Sequence, residues 1–142
     1  RFIELAEAIN SSMPEVVVRR LQDALDVRGR TLSGSRILVL GVAYKRDVAD
    51  VRESPALDVM ILLRAKGAEI VYHDPNVPSL EVEDGRLESV DWEAEAGGCD
   101  CALILTDHGA IDYAQLVDLA PLVFDTRGVT RSLPHHPDLI RL

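Results

Sequence analysis

The chain has 142 residues, a length typical of one domain with room for a short appendage. Its apolar fraction of 47% can supply a core of that size. The formal net charge of −9 argues against general binding to nucleic acid or to anionic membranes, because both need a broad cationic surface. No apolar run reaches the roughly 18 residues that would predict a membrane span. We therefore expect a cytoplasmic globular domain.

The first residues read as the end of a longer element. Arg1-Phe2-Ile3-Glu4 lacks the layout of a signal peptide, and the chain begins without methionine inside a helical pattern. We therefore expect a fragment of a longer protein whose first helix is truncated. Asn10-Ser11-Ser12 predicts a helix break, after which Pro14 opens a second helix that reaches Leu25. We predict that residues 1–35 form a linking or dimerising element and that residues 36–142 form the compact domain.

From Arg36 onward, segments of strand type and helix type alternate. Strands are predicted at 37–42, 69–73, 100–105 and 122–124, and helices at 55–66, 89–96 and 110–120. Residues 76–86 are predicted to be a loop, and the tail from Gly128 shows only weak structure signals. The continuous apolar run at 37–42 is typical of a parallel strand covered on both faces. The alternation predicts an α/β fold with a Rossmann-like parallel sheet sandwiched by helices.

The two cysteines, Cys99 and Cys101, are two residues apart on or beside a predicted strand and cannot easily bridge each other. No second pair of ligands has the spacing of a metal site, so we predict no metal. Catalytic groups in such folds lie at the opposite end of a strand, so neither cysteine is placed like a nucleophile. We interpret both as reduced thiols, and we assign no catalytic residue to this chain.

Ligands of parallel sheets bind outside the carboxyl ends of the strands. The four predicted strand ends carry Tyr44-Lys45, His73-Asp74, Thr106-Asp107-His108 and Asp125-Thr126-Arg127. Lys45 as a point charge and Arg127 as a fork could clamp a pyrophosphate, and Tyr44 could lie against a base. These positions predict a ligand site along one edge of the sheet.

The loop after the first strand also carries Arg52, directly before a helix that opens at Ser54-Pro55. A helix N-terminus offers unpaired N–H groups and partial positive charge, which attract anions. On an acidic chain, this favours a phosphate-bearing ligand. The nearby acids Asp47, Asp50 and Glu53 leave two possibilities. They could orient the cations, or neutralise them in surface pairs worth ~0–1 kcal/mol each, which would remove the anion site.

Other polar residues at the strand ends have simpler explanations. Asp74 stands where dinucleotide-binding folds place an acid for the ribose, but the first turn lacks G-x-G-x-x-G and carries the bulky Tyr44. We therefore expect Asp74 to make an Asx turn before a proline, and we predict no self-contained NAD site. We expect Thr106 or Asp107 to cap the next helix and His108 to be partly exposed.

The segment Gly41-Val42-Ala43-Tyr44-Lys45, followed by Asp50-Val51-Arg52-Glu53-Ser54-Pro55, resembles the signature of the C-terminal domain of the UDP-glucose/GDP-mannose dehydrogenase family. These enzymes are nucleotide-sugar 6-dehydrogenases. Tyr72-His73-Asp74-Pro75, Thr106-Asp107-His108 and Phe124-Asp125-Thr126-Arg127 follow in the order of the family. The resemblance covers about residues 2–128. The residues of the signature are most similar to those of the branch that acts on UDP-N-acetylhexosamines (GlcNAc or ManNAc).

The resemblance implies a parent enzyme that oxidises the C6 hydroxyl of a UDP-sugar to a carboxylate with NAD. NAD and the catalytic cysteine would belong mainly to an N-terminal domain absent from this chain, so the fragment alone would be inactive. Residues 1–35 would end a central helix that makes the full-length protein a homodimer. On matching positions, Tyr44, Lys45 and Arg127 would bind the substrate nucleotide, and Arg52 would reach NAD. The base, uracil or guanine, and the sugar stay open.

Two other functions remain possible at this stage. A receiver-like or flavodoxin-like interaction domain would need a phospho-acceptor among Asp74, Asp107 and Asp125, but would leave Lys45 and Arg52 without a role. An oligomerisation module without a ligand would use the apolar stripe of the opening helix as its interface. That stripe comprises Phe2, Leu5 and Ile9.

Overall fold

The computed structural model describes the backbone of residues 2–142 and the side chains of residues 13–142. Its helices are α1 (Phe2–Val27), α2 (Pro55–Ala65), α3 (Trp92–Ala96) and α4 (Tyr113–Leu119). Its strands are β1 (Arg36–Leu40), β2 (Glu69–His73), β3 (Ser79–Val82), β4 (Gly85–Glu88), β5 (Cys101–Ile104), β6 (Val123–Asp125) and β7 (Leu139–Arg141).

Five strands form one parallel sheet in the order β2-β1-β5-β6-β7. The predicted parallel α/β class is therefore confirmed. The chain runs from β1 to β2 on one side and then crosses back to β5 on the other side of β1. The direction of winding thus reverses between β1 and β5, and open sheets form a ligand crevice at such a point.

Strand β1 shows why the sheet is covered on both faces. Ile37 and Val39 belong to the core that includes α1 and α2, whereas Leu38 and Leu40 belong to the core that includes α3 and α4. All four side chains are fully buried. Burying such a side chain stabilises the fold by about 1.5–3 kcal/mol. The continuous apolar run is the consequence of having helices on both sides.

Residues 2–27 do not contain the predicted helix break. Helix α1 is continuous through Asn10-Ser11-Ser12 and contains Pro14, although proline has no N–H to donate to the carbonyl four residues earlier. A buried apolar stripe on the second half of the helix packs on the sheet. This packing outweighs the helix-breaking tendency of Asn10-Ser11-Ser12 and Pro14. This stripe comprises Val17, Val18, Leu21 and Leu25. The apolar stripe Phe2, Leu5 and Ile9 lies outside the residues whose side chains are described.

Two predicted irregular segments contain strands. Residues 76–86 were expected to be a loop, but β3 and β4 form an antiparallel hairpin in which Leu80 faces Leu87. The weakly patterned tail contains β7, which pairs with β6 and adds a fifth strand. In β7 only Leu139 is buried, and β3 to β4 buries only Leu80. So few buried positions produce no clear periodicity in the sequence.

The two short helices begin later than predicted. Their N-caps are Asp91 and Asp112, whose side chains accept hydrogen bonds from the backbone N–H groups of Glu93 and Gln115. The expectation that Thr106 or Asp107 caps the helix after β5 is therefore wrong. Residues 106–112 instead form a polar connection at the carboxyl edge of the sheet.

We predict that Gly41→Ala destabilises the fold far more than Gly29→Ala. Both glycines have positive φ, at 84° and 73°, where a non-glycine residue costs roughly 1–2 kcal/mol. A Cβ at Gly41 would lie 1.9 Å from the Thr106 carbonyl oxygen, whereas a Cβ at Gly29 meets nothing within 4 Å. Urea unfolding measures both variants. Equal losses of unfolding free energy in the two variants would show that the end of β1 does not pack tightly against the loop after β5.

Candidate functional site

A cleft of about 620 Å³ opens at the carboxyl ends of β1, β5 and β6. It lies at the point where the winding of the sheet reverses, as parallel α/β folds require of a ligand site. Helix α1 and the start of α2 supply its other walls. The lining residues are Met13, Pro14, Val17, Tyr44, Glu53, Pro55, Ala56, Asp58, Val59, Leu105, Thr106, Thr126 and Arg127.

The structure brings Tyr44 and Arg127 together in this cleft, although they are 83 positions apart in the chain. Arg52 does not line it. Arg52 lies in a smaller neighbouring cleft of about 330 Å³ that also includes Tyr44. Lys45 is exposed and lines neither cleft. Tyr44, whose surface is 52% exposed, therefore stands between the two clefts.

The acids around the loop have different roles. Asp50 holds Arg52, with Oδ1 3.1 Å from Nε and Oδ2 3.0 Å from Nη2. These hydrogen bonds from the Arg52 side chain and N–H lower the pKa of Asp50 to about 2. Asp47 pairs with Arg46 and not with Lys45. Among the residues with described side chains, none forms an ion pair with Lys45, so this lysine is not neutralised, whereas Asp50 both pairs with Arg52 and orients its guanidinium.

The N-terminus of α2 offers fewer free donors than expected. Ser54 caps the helix, and its hydroxyl accepts a hydrogen bond from Ala56 N–H at 3.3 Å. Pro55 has no N–H, and Leu57 N–H donates to the Ser54 carbonyl. The expectation of unpaired N–H groups is therefore wrong at these positions. An anion in the cleft would experience the partial charge of the helix but would depend on side chains for hydrogen bonds.

Two of the strand-end acids are buried and fully used by the fold. Asp74 Oδ1 accepts from Asn76 N–H at 2.8 Å, which confirms the predicted Asx turn. The Asp125 carboxylate accepts from the N–H groups of Arg127, Gly128 and Thr130, and so shapes the turn that presents Arg127. Both aspartates are 1% exposed. A receiver-like phospho-acceptor must be accessible, so neither residue suits that role.

The third strand-end acid, Asp107, lies between two arginines. Its Oδ2 is 2.9 Å from Nη1 of Arg46, and its Oδ1 is 3.7 Å from Nε of Arg127. The longer separation is a weak ion pair rather than a hydrogen bond. In the part of the chain with described side chains, the guanidinium Nη groups of Arg127 donate no hydrogen bond to the protein. They are available to a ligand in the cleft.

His108 is buried, and the expectation of partial exposure is wrong. Its side chain is fully buried, with Nε2 2.8 Å from Asp74 Oδ2. Its Nδ1 accepts from Asp47 N–H at 2.9 Å. The sequence held one usable signal: Asp74 and His108 follow the two strands that flank β1, so their side chains can meet above the end of β1. Thr106 also helps to fix this edge, because its hydroxyl donates to the Ala43 carbonyl.

The cysteines are free, buried and unsuited to nucleophilic chemistry. Burial raises the pKa of Cys99 to about 11 and raises the pKa of Cys101 further. A cysteine nucleophile acts as the thiolate, which such environments suppress. Within the described residues, no group of His, Cys, Asp or Glu side chains could hold a metal ion. No described helix is long and apolar enough to cross a bilayer.

Residues 38–132 match the model of the UDP-glucose/GDP-mannose dehydrogenase family, UDP binding domain. This chain belongs to that family. The match contains the last three residues of β1, all of β2 to β6 and every strand-end motif, so the resemblance noted in the sequence is confirmed.

Individual relatives agree with the family match. The chain is 30% identical over 137 residues to a UDP-N-acetyl-D-mannosamine dehydrogenase of Methanococcus maripaludis, covering 91% of this chain. It is 29% identical over 141 residues to a UDP-glucose 6-dehydrogenase of Rhizobium meliloti, covering 92% of this chain and 31% of that protein. The chain spans about 30% of the length of the curated relatives that it matches first.

A solved structure confirms the fold. The UDP-D-ManNAc dehydrogenase of Pyrococcus horikoshii superposes with a TM-score of 0.81 at 27% identity. The superposition covers 98% of this chain and 32% of that one. The fold of this chain is therefore shared with part of that protein.

We predict that Asp125→Asn lowers the free energy of unfolding by about 1–3 kcal/mol at pH 7, because the buried amide accepts fewer hydrogen bonds than the carboxylate. Burial opposes ionisation of Asp125, but the hydrogen bonds from Thr130 and from backbone N–H groups outweigh it and lower the pKa. A lowered folded pKa means that this stability is complete above the unfolded value of about 3.9. It is lost as the pH falls through the folded pKa.

Urea unfolding between pH 7 and pH 3 measures this effect. The gap between wild type and Asp125→Asn should narrow below about pH 4. Asp23→Asn, at an exposed position of α1, is the control and should show little change. A gap that does not depend on pH would contradict the role of the Asp125 charge.

Proposed function

We propose that this chain holds the UDP group of a nucleotide sugar within an NAD-dependent dehydrogenase that oxidises the C6 hydroxyl of that sugar to a carboxylate. The observation that carries the proposal is the cleft at the carboxyl ends of β1, β5 and β6, because ten of its thirteen lining residues lie in the segment matched by a UDP-binding domain. Its volume of about 620 Å³ is in the range of ~300–1,000 Å³ typical of small-molecule sites.

Arg127 and Lys45 are the proposed partners of the diphosphate. Arg127 lies on the cleft wall, its backbone N–H is held by Asp125, and its Nη groups donate no hydrogen bond to the described side chains or backbone. A guanidinium can bind phosphate oxygens in a fork. Lys45 follows Tyr44 directly and is exposed, so its long side chain can complete the charge on the open side of the cleft. Two cations would then face two phosphates.

The nucleoside would meet a different set of groups. The exposed ring of Tyr44 offers a face on which a base can stack. The carboxylates of Glu53 and Asp58 line the same cleft and can accept hydrogen bonds from ribose or sugar hydroxyls. A cleft lined by two carboxylates and by the Arg127 guanidinium suits a ligand that carries both hydroxyls and phosphates.

NAD would approach from the other side of Tyr44. Arg52 lies in the smaller cleft, where Asp50 fixes the plane of its guanidinium. We assign Arg52 to the phosphates of NAD, whose main binding site would lie in another domain of the full-length protein. Because Tyr44 borders both clefts, substrate and cofactor would lie side by side, as hydride transfer from the sugar to NAD requires.

The remaining assignments follow the same proposal. Residues 1–35 would form the end of the connecting helix and its linker, residues 36–142 the nucleotide-sugar-binding domain, and the full-length protein a homodimer. Relatives are named for both UDP-N-acetylmannosamine and UDP-glucose. We favour a UDP-N-acetylhexosamine as the substrate because four of the similar proteins are UDP-N-acetyl-D-mannosamine dehydrogenases.

Calorimetric titration of the chain with UDP tests the proposed site. Lys45→Ala should weaken UDP binding about tenfold, since hydrogen bonds to charged groups contribute about 1.5–3 kcal/mol. Lys66→Ala is the matched control because Lys66 is the second of the two lysines in the sequence and lies at the far end of α2. UDP binding that is absent in folded wild type, or equal in the two lysine variants, would contradict the proposal.

A second titration addresses the cleft wall. Arg127→Ala should also weaken UDP binding about tenfold or more, because it removes a charge-assisted contact with phosphate. Arg131→Ala controls for the loss of a nearby positive charge, since Arg131 is exposed and does not line the cleft. Equal affinity of the two arginine variants would show that general charge, and not the Arg127 fork, attracts the nucleotide.

Amide chemical shifts can separate the two ligands. NAD should perturb the backbone signals around Arg52, and UDP should perturb those around Arg127. Arg52→Ala should reduce the NAD-induced shifts, whereas Arg86→Ala on the hairpin β3–β4 should not, because Arg86 is remote from both clefts. NAD shifts that are unaffected by Arg52→Ala would remove this residue from the cofactor site.

A further inference from the structure

The loop of residues 44–53, which carries Tyr44, Lys45 and Arg52, needs outside support to keep its shape. Asp47 and Glu53 have positive φ values of 57° and 56°, a conformation that non-glycine residues adopt only at a cost. Such conformations persist where surrounding contacts fix them. Within the loop, Tyr44 N–H donates to the Asp50 carbonyl. The bend at Asp47 is held from outside by the segment after β5.

His108 makes a partly buried contact with that bend. The Asp47 N–H donates to His108 Nδ1 at 2.9 Å, so Nδ1 carries the lone pair. The proton of the neutral ring is then on Nε2, which donates to Asp74 Oδ2 at 2.8 Å. The side chains of His108 and Asp74 are both fully buried, so water does not compete for the hydrogen bond between them, whereas the hydrogen bond from Asp47 N–H is partly buried. Both ring nitrogens are satisfied in this tautomer alone.

Asp74 acts on the same loop a second time. Its Oδ2 also accepts from the N–H groups of Val42 and Ala43, at 2.9 and 3.2 Å, immediately before Tyr44. One carboxylate at the end of β2 therefore fixes the start of the loop directly and its bend through His108. Neither Asp74 nor His108 lines a cleft.

We infer that Asp74 and His108 are positioning residues for ligand binding: Asp74 holds His108 as the Nε2–H tautomer, and His108 thereby offers an acceptor that sets the bend at Asp47. The bend in turn sets the positions of Tyr44, which lines the cleft, and of Lys45, which follows it. This inference rests on the proposed function, because the loop matters for binding only if the cleft takes the nucleotide.

Two substitutions of His108 separate its two hydrogen bonds. His108→Asn keeps an oxygen near the place of Nδ1 and so keeps an acceptor for Asp47 N–H, but loses the donor to Asp74. His108→Gln keeps a donor near the place of Nε2 and loses the acceptor for Asp47. His135→Gln, at an exposed position in the tail, controls for the exchange of histidine for an amide.

UDP titration and amide hydrogen exchange are measured on the three variants and wild type. If the acceptor sets the bend, His108→Gln weakens UDP binding about tenfold, as expected for one buried hydrogen bond, and speeds exchange of the Asp47 amide. His108→Asn should lose less affinity and keep more protection at Asp47. Loss of fold alone would not rank the variants by the hydrogen bond that they retain. Equal affinity of His108→Gln and wild type, or His108→Asn as weak as His108→Gln, would overturn the inference.

The wild-type imidazole supplies an independent result if a variant does not fold. Nitrogen-15 chemical shifts should show a protonated Nε2 and an unprotonated Nδ1 at neutral pH, and Asp47 N–H should be protected from exchange. A protonated Nδ1 would overturn the inference whatever the variants do. If folded wild type shows this tautomer and a protected Asp47 but does not bind UDP, the proposed nucleotide site fails while the positioning of the loop stands.

Discussion

The carboxyl edge of the sheet depends on the buried charge of Asp74. Transfer of a carboxylate into a protein interior costs several kcal/mol unless donors surround it. Four donors do so here: the N–H groups of Val42, Ala43 and Asn76 and the imidazole of His108. These donors come from the ends of β1, β2 and β5. The hydrogen bonds to one carboxylate therefore fix the ends of these three strands relative to one another.

The neutral hydrogen bonds at this edge add to the same constraint. Gly41 allows β1 to end against the Thr106 carbonyl, and the hydroxyls of Thr106 and Ser54 both donate to the Ala43 carbonyl. A backbone carbonyl with two donors and a glycine without Cβ leave little freedom to residues 41–43. The first loop therefore starts from a rigid base. Its conformation beyond Tyr44 is decided by the contacts at Asp47 and Asp50.

The sequence predicted the parts of the fold that long-range burial dictates. The apolar run at 37–42 and the shorter runs of the later strands gave the parallel sheet, and the rule that ligands bind at carboxyl ends placed Tyr44 and Arg127 at one edge. The prediction failed where a local signal competed with packing. Pro14 does not end α1, because a buried stripe on the following three turns holds the helix on the sheet. The hairpin and β7 bury too few side chains to be recognised.

The candidate site was only partly predictable for a related reason. Strand-end position identifies which residues gather at the edge, but not which of them point inward. His108 follows β5 by four residues and has the composition of an exposed loop, yet it is buried because Asp74 requires a donor. Lys45 was also hard to predict, because enough acidic residues lie near it in the sequence to neutralise it. In the structure those acids pair with arginines instead. Such choices depend on distances that sequence spacing does not contain.

Different interactions stabilise the cores and position the polar residues of the site. The two cores bury the strands and helices. From the loop of residues 44–53, Val48 and Val51 also pack against the first core, whereas the polar residues of the loop are held by hydrogen bonds and ion pairs. Hydrophobic burial is non-directional, so it stabilises the sheet without dictating the angle of a loop side chain. Hydrogen bonds between buried groups are directional and do dictate it. Changes at Asp47, His108 or Asp50 therefore alter where Tyr44 and Arg52 face, while the sheet that supports them keeps its own source of stability.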